Sequence, residues 1–253
     1  MARRIRLDQA LVTRGLCDSR ERAKRSIMAG DVKVNGHPAT KASDPVGEDD
    51  TVELAQKEKF VSRGGLKLEH ALIDFAFDPA GMTAIDLGAS TGGFTDCLLQ
   101  QGVKKVYAVD VGHGQLAWSL RQDERVVVME KTNARHLDHS SFPAPFDPVE
   151  LIVADCSFIS LRSILPAAVP LLRDGGHVIA LIKPQFEAGK AEADKGRGVI
   201  TDATVHQRVI DELQAFIAEK TPLTWRRFTE SPILGPAGNK EFLVLLEKEN
   251  PTH

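Results

Sequence analysis

The segment Met82-Thr83-Ala84-Ile85-Asp86-Leu87-Gly88-Ala89-Ser90-Thr91-Gly92-Gly93-Phe94 runs from an apolar strand pattern, through a glycine-rich turn, into a helical pattern. The arrangement repeats downstream. Val106-Tyr107-Ala108-Val109-Asp110, Val126-Val127-Val128-Met129-Glu130 and Leu151-Ile152-Val153-Ala154-Asp155 are apolar runs that each end in an acid, and His177-Val178-Ile179-Ala180-Leu181-Ile182-Lys183 ends in a lysine. Helical patterns fill the gaps, among them Ile164 to Leu172 and Ala203 to Lys220. Near-continuous apolar strands alternating with helices predict a Rossmann-like, doubly wound parallel α/β sheet with its ligands at the carboxyl ends of the strands. Thr224 to Thr229 and Glu241 to Leu246 are close enough to pair as a hairpin at the end of that sheet.

The turn narrows the ligand. A dinucleotide loop places its glycines as G-x-G-x-x-G, and a phosphate loop needs a lysine after its last glycine. Here the glycines are Gly88, Gly92 and Gly93, no lysine follows, and Asp86 precedes the first of them. A strand-end carboxylate repels a pyrophosphate and attracts a cation. S-adenosylmethionine, with an ammonium and a sulfonium, fits these features. The expected cofactor contacts are Asp86, Gly88, Ser90, Thr91, Gly92, Gly93 and Phe94, with Asp110 placed for a ribose diol and Asn133 for the adenine edge.

Composition excludes several classes. The chain has 253 residues, is 42% hydrophobic and 26% charged, and carries a net charge of -3. No apolar run approaches the ~20 residues of a membrane span. Basic residues near Met1 are followed by no apolar stretch, so no secretory signal is expected. Cys17, Cys97 and Cys156 have neither disulfide nor metal-ligand spacing, which fits a reducing cytoplasm and predicts no metal site.

The charge is unevenly spread. Residues 1–41 hold ten basic and four acidic side chains, a balance of +6, which leaves -9 for the remainder. Leu7, Ala10, Leu11 and Val12 predict a first helix ending before Gly15. Ser19 is placed to cap a second helix carrying Arg20, Arg22, Lys24 and Arg25, and Val32 to Gly36 reads as a short strand entering a tight turn. Cations clustered on a helix beside a small sheet suit the phosphates of folded RNA better than duplex DNA, because strands follow the second helix too closely for a helix-turn-helix. The runs Arg6 to Leu11, Ser19 to Ala23 and Ala29 to Gly36 resemble an S4 RNA-binding domain, a small α+β fold. Arg4, Arg6, Arg20, Arg22, Lys24, Arg25, Lys33 and, further on, Arg63 are the candidate RNA contacts.

Asp155 and Lys183 close neighbouring strands and are expected to face the crevice. Lys67, in Ser62-Arg63-Gly64-Gly65-Leu66-Lys67, opens a helix, and Glu241 begins the last strand. A ribose hydroxyl is a poor nucleophile, and a lysine oriented by carboxylates can take its proton while the methyl transfers. These segments, with Asp155-Cys156-Ser157-Phe158-Ile159-Ser160-Leu161, Ile182-Lys183-Pro184-Gln185-Phe186-Glu187 and Gly238-Asn239-Lys240-Glu241-Phe242, resemble the TlyA family of ribose 2′-O-methyltransferases, a branch of the FtsJ/RrmJ-like group. The resemblance implies a catalytic Lys-Asp-Lys-Glu tetrad at Lys67, Asp155, Lys183 and Glu241. It also implies a cytidine of ribosomal RNA, free or within a ribosomal subunit, as substrate. Cys156 departs from the valine expected in relatives.

The expected organisation is an S4-like RNA-binding domain at residues 1–59, an interdomain linker at 60–66 and a methyltransferase domain at 67–253. Paired glycines make the Lys59 to Gly65 stretch a candidate hinge, and the long connection 184–201 a candidate lid over the crevice. Two other functions compete: a ribosome-assembly factor that has kept the fold without turnover, and a cytolysin, since members of this family often carry the label hemolysin. Intact acid-tipped strands with two lysines favour the enzyme. The missing amphipathic cationic helix and membrane span oppose the cytolysin.

Overall fold

The computed structural model describes residues 4–54, 59–189, 192, 196 and 198–250, and the chain divides into two compact units, Met1–Glu58 and Lys59–His253.

In the first unit, strand β1 (Ile5–Arg6) runs directly into helix α1 (Leu7–Thr13), and helix α2 (Arg20–Met28) follows. Ser19 caps α2 as its position predicts, its side chain accepting a hydrogen bond from the Arg22 amide. Strand β2 (Val32–Val34) turns back on β3 (His37–Pro38) through Asn35 and Gly36, both at positive φ, the conformation that a two-residue hairpin requires. β4 (Pro45–Val46) pairs with β1, and β5 (Val52–Leu54) with β2. Leu7, Leu11, Ala23, Ile27 and Val32 form the core between helices and sheet.

The second unit opens with α3 (Gly64–Asp74) and then alternates β6 (Thr83–Leu87), α4 (Gly93–Gln100), β7 (Lys105–Val109), α5 (Trp118–Arg121), β8 (Val126–Met129), β9 (Val149–Ala154), α6 (Leu161–Ala168) and β10 (Leu172–Ile182). After α7 (Pro184–Glu187) and α8 (Ala203–Lys220), β11 (Leu223–Glu230) and β12 (Phe242–Lys248) complete a seven-stranded sheet of order β11-β12-β10-β9-β6-β7-β8. Five strands are parallel, and the closing hairpin is antiparallel, with β12 lying against β10. Strand alternation divides the core between the two faces: Val178, Ala180 and Ile182 pack with Leu161, Ile164, Val209 and Leu213, whereas Ile179 and Leu181 pack with Leu68, Leu72 and Leu98. β6, the first strand of this sheet in sequence, lies between β7 and β9, so the chain reverses direction across the sheet there and opens a crevice at the carboxyl ends of β6 and β9.

Three expectations are corrected. The helix expected over Ile164 to Leu172 starts earlier, at Leu161, and ends at Ala168. A 3-10 turn over Val169–Leu171 follows and Leu172 already belongs to β10, because Pro170 has no N–H with which to continue the helix. The stretch 60–66 is no free linker. Phe60 is buried, the Val61 amide donates to Asp96 at 2.8 Å, and Gly64 to Leu66 form the first turn of α3. Gly65 serves close packing rather than a hinge: a Cβ there would stand 2.3 Å from the Phe60 ring. In the 184–201 connection, residues 190, 191, 193–195 and 197 lie outside the described residues. What is described is α7 at its start and, at its end, a clamp in which Asn239 accepts from the Ile200 amide and donates to the Gly198 carbonyl.

Candidate active site

The turn after β6 is shaped by close approach. Gly88 has φ +82°, and a Cβ there would stand 2.9 Å from the Asp155 carbonyl oxygen at the end of β9. Only glycine meets both demands. Gly92 caps α4 at φ 101°, with Leu116 and Leu120 filling the space where a side chain would go. Two adjoining cavities lie above this turn. One, of about 270 Å3, is walled by Arg63, Lys67, Thr91, Phe94, Lys183 and Pro236, among others. The second, of about 480 Å3, is walled by Asp110, Val111, Asn133, Cys156, Phe158 and Ile159, among others. Gly88, Ser90, Asp155 and Ser157 belong to both.

The four predicted polar residues are brought together as two ion pairs beside the first cavity. Lys67 Nζ lies 2.5 Å from Glu241 Oε2, and their side chains are 7% and 1% exposed. Burial this complete leaves each charge dependent on the other. Lys183 Nζ lies 2.6 Å from Asp155 Oδ1 in an ion pair, and its aligned hydrogen bond goes to Ser157 Oγ at 2.9 Å. Lys67 comes from α3, Asp155 and Lys183 directly follow β9 and β10, and Glu241 directly precedes β12. One end of the sheet therefore gathers groups more than 170 residues apart.

The expected cofactor contacts separate. Gly88, Ser90, Thr91, Gly93 and Phe94 line the first cavity, and Asp110 and Asn133 line the second. Both Asp110 oxygens accept backbone amides, from Ser90 at 2.8 Å and Gly112 at 2.6 Å, which aims the carboxylate while leaving further lone pairs open. Asn133 accepts from the Arg135 amide. Asp86 and Gly92 are not on either wall. Asp86 is wholly buried beneath the turn, and one oxygen accepts from Thr95 Oγ1 at 2.6 Å while the other has no hydrogen-bond partner. Burial, opposed by the Thr95 hydrogen bond and reinforced by the charges of Asp155 and Asp110, pushes this carboxyl up to about 7. The direct contact expected of Asp86 is thus a field from below the loop. An orphaned buried acceptor, three strand-end acids and a bare glycine turn fit a cationic nucleoside donor.

The charged residues of the first unit also divide. Asp8, fully buried, accepts from Arg6 at 3.0 Å and Arg20 at 2.9 Å; burial opposes ionisation, but these two hydrogen bonds outweigh it and lower the carboxyl to about 2. Arg22 pairs with Asp18 across one helical turn. Arg4 is exposed. Lys24, Arg25 and Lys33 make no salt bridge among the described residues, so their charges stay available to a polyanion. Arg63 lies on the wall of the first cavity.

A family model described as FtsJ-like methyltransferase matches residues 60–248. The chain belongs to the FtsJ-like methyltransferase family. An S4 domain model matches residues 5–52 of this FtsJ-like chain. Among its relatives, the Mycobacterium tuberculosis 16S/23S rRNA (cytidine-2′-O)-methyltransferase TlyA is 44% identical over 253 residues, covering 98% of this chain and 92% of that one. Hemolysin A of Brachyspira hyodysenteriae is 41% identical over 240 residues, covering 95% of this chain and 98% of that one. A solved Streptococcus thermophilus protein that also carries a hemolysin name matches with a TM-score of 0.73 at 43% identity, over 99% of this chain and 90% of that one. The doubly wound methyltransferase sheet and the S4-like start are as the sequence predicts, and the fold and family are those of S-adenosylmethionine-dependent enzymes. No helix of the described residues is long and apolar enough to cross a membrane.

Sequence reasoning missed Ser157, which is the hydrogen-bond acceptor of Lys183. It also missed Phe158, an 88% exposed aromatic at φ 64° that leans on Phe186. An exposed aromatic in the left-handed region is itself a signal, but one visible only in three dimensions.

Proposed function

We propose that this FtsJ-like chain methylates the 2′-hydroxyl of a cytidine in ribosomal RNA, using S-adenosylmethionine, with Lys67, Asp155, Lys183 and Glu241 as its catalytic groups. The observation that carries the reading is the pair of lysine–carboxylate contacts beside one cavity, at 2.5 and 2.6 Å. Similarity to TlyA over nearly the whole chain supports both the sugar position and the ribosomal substrate.

S-adenosylmethionine, when bound, supplies an activated methyl on a sulfonium. The chain holds it with the Gly88 to Phe94 turn, Asp110 for the ribose and Asn133 toward the base, with the acids at the strand ends countering its positive charge. Lys183 accepts the proton of the 2′-hydroxyl, and Asp155 holds the amine at that place. Lys67, fixed by Glu241, presents a cation at the first cavity, where it steadies the developing oxyanion and the neighbouring phosphate. Phe158 offers an exposed aromatic face at the rim of the second cavity, on which an unstacked base can rest. Lys24, Arg25 and Lys33 supply sequence-independent grip on phosphates, a contribution that weakens with salt.

The test is incubation of the purified chain with methyl-labelled S-adenosylmethionine and ribosomal subunits. Label enters RNA with the wild type and not with Lys183→Ala. Equal labelling by both proteins removes Lys183 from the chemistry, and no labelling of either subunit favours the assembly-factor role.

A further inference from the structure

An amine that is to accept a proton must aim one lone pair, and so must fix two N–H directions elsewhere. At Lys183 the structure shows two acceptors: Asp155 Oδ1 at 2.6 Å and Ser157 Oγ at 2.9 Å. Only the contact with Ser157 has aligned hydrogen-bond geometry. Ser157 belongs to the walls of both cavities and so stands between the proposed donor and acceptor spaces. The chain three and four residues beyond it is held from the far side. Glu187, four residues beyond Lys183, is buried and accepts from Ser160 Oγ at 2.6 Å and from the Leu161 amide at 2.7 Å. The segments leaving β9 and β10 are therefore cross-tied twice, once by Lys183 to Ser157 and once by Ser160 and Leu161 to Glu187.

We propose that Ser157 is a positioning residue for the methyl transfer: its hydroxyl accepts the one aligned N–H of Lys183, the Asp155 carboxylate holds the amine by charge, and together they turn the lone pair toward the acceptor oxygen. The inference rests on the 2′-O-methyltransferase reading for its chemistry. In that step the hydroxyl proton passes to Lys183 Nζ, the oxygen forms the new bond to the methyl carbon, and the breaking carbon–sulfur bond leaves its electron pair on sulfur. Without Ser157 the amine keeps its charge partner but loses its aim. Misplacement of this kind costs rate rather than affinity.

Ser157 is exposed, so its replacement leaves the core untouched. Two measurements on the full chain test the proposal. In methyl transfer, Ser157→Ala lowers kcat about tenfold with KM for S-adenosylmethionine unchanged, and Ser157→Thr, which keeps the hydroxyl, restores kcat to within about twofold. The second measurement needs no RNA: carbamylation of Lys183 in cyanate, in which the neutral amine attacks the carbon of isocyanic acid, is followed by peptide mass spectrometry. Loss of an acceptor for the ammonium makes Lys183 react about tenfold faster in Ser157→Ala and not in Ser157→Thr. Unchanged carbamylation in Ser157→Ala overturns the proposal, as does a threonine variant that is as slow in transfer as alanine. A wild type that carbamylates as expected but methylates no RNA overturns the 2′-O-methyltransferase reading instead.

Discussion

The Lys67–Glu241 pair allows stability and catalysis to be separated. Nζ and Oε2 lie 2.5 Å apart, the side chains are 7% and 1% exposed, and Lys67 Nζ has no other hydrogen-bond partner among the described residues. The 231–240 loop closes over the carboxylate so tightly that a Cβ at Gly235 would stand 2.4 Å from Glu241 Oε1. Glu241→Leu leaves a buried ammonium unpaired and Lys67→Met a buried carboxylate; each costs about 3–5 kcal/mol, or roughly 10 °C in Tm for a domain of this size. The double variant buries two apolar chains of similar volume and returns to within about 1 kcal/mol of the wild type. Its coupling energy is therefore close to the sum of the two single losses, about 5–10 kcal/mol. Urea denaturation followed by circular dichroism gives the four stabilities, and methyl transfer is abolished in all three variants. Single losses below about 1 kcal/mol, or losses that simply add in the double variant, refute the claim that these charges are buried against each other.

Three further outcomes follow from the same geometry. Gly88→Ala forces a Cβ to 2.9 Å from the Asp155 carbonyl at φ +82°, so it costs about 2–4 kcal/mol and weakens S-adenosylmethionine binding in calorimetry; an alanine variant that binds normally contradicts the close approach. Asp86, raised from 3.8 to about 7, is protonated in both folded and unfolded states below pH 3.8, whereas above it only the unfolded state ionises at first. Native stability is therefore lost as pH rises from about 4 to 7, by about 4 kcal/mol, and Asp86→Asn removes that slope in paired urea titrations; parallel curves for the two proteins count against it. Asp8, lowered to about 2, works in the opposite direction. Its contribution of about 2 kcal/mol is present above pH 3.8 and lost as pH falls toward 2, so Asp8→Asn destabilises the first unit at pH 7 and makes no difference near pH 2.

The parallel sheet was legible because its strands are buried on both faces and so appear as unbroken apolar runs, from Ile85 to Ile182. Asp155 and Lys183 were legible for the same reason: a charge ending such a run has one place to go, the crevice. Lys67 and Glu241 were not paired by any local signal. Their contact depends on β12 sitting beside β10 and on α3 packing nearby, neither of which is encoded in short spacing. Gly64 and Gly65 looked like a hinge because glycine permits one, but the Phe60 ring occupies the space that the missing side chain of Gly65 leaves, and both residues sit in the first turn of α3. Asp86 looked like a cavity wall because it precedes the turn. Strand alternation instead turns it inward, to Thr95 on α4.

The most direct measurement is nucleoside mass spectrometry of ribosomal RNA methylated by the wild-type chain and by Lys183→Ala. The account predicts 2′-O-methylcytidine with the wild type alone. A methyl group found on a base, or the same sugar methylation without Lys183, contradicts it.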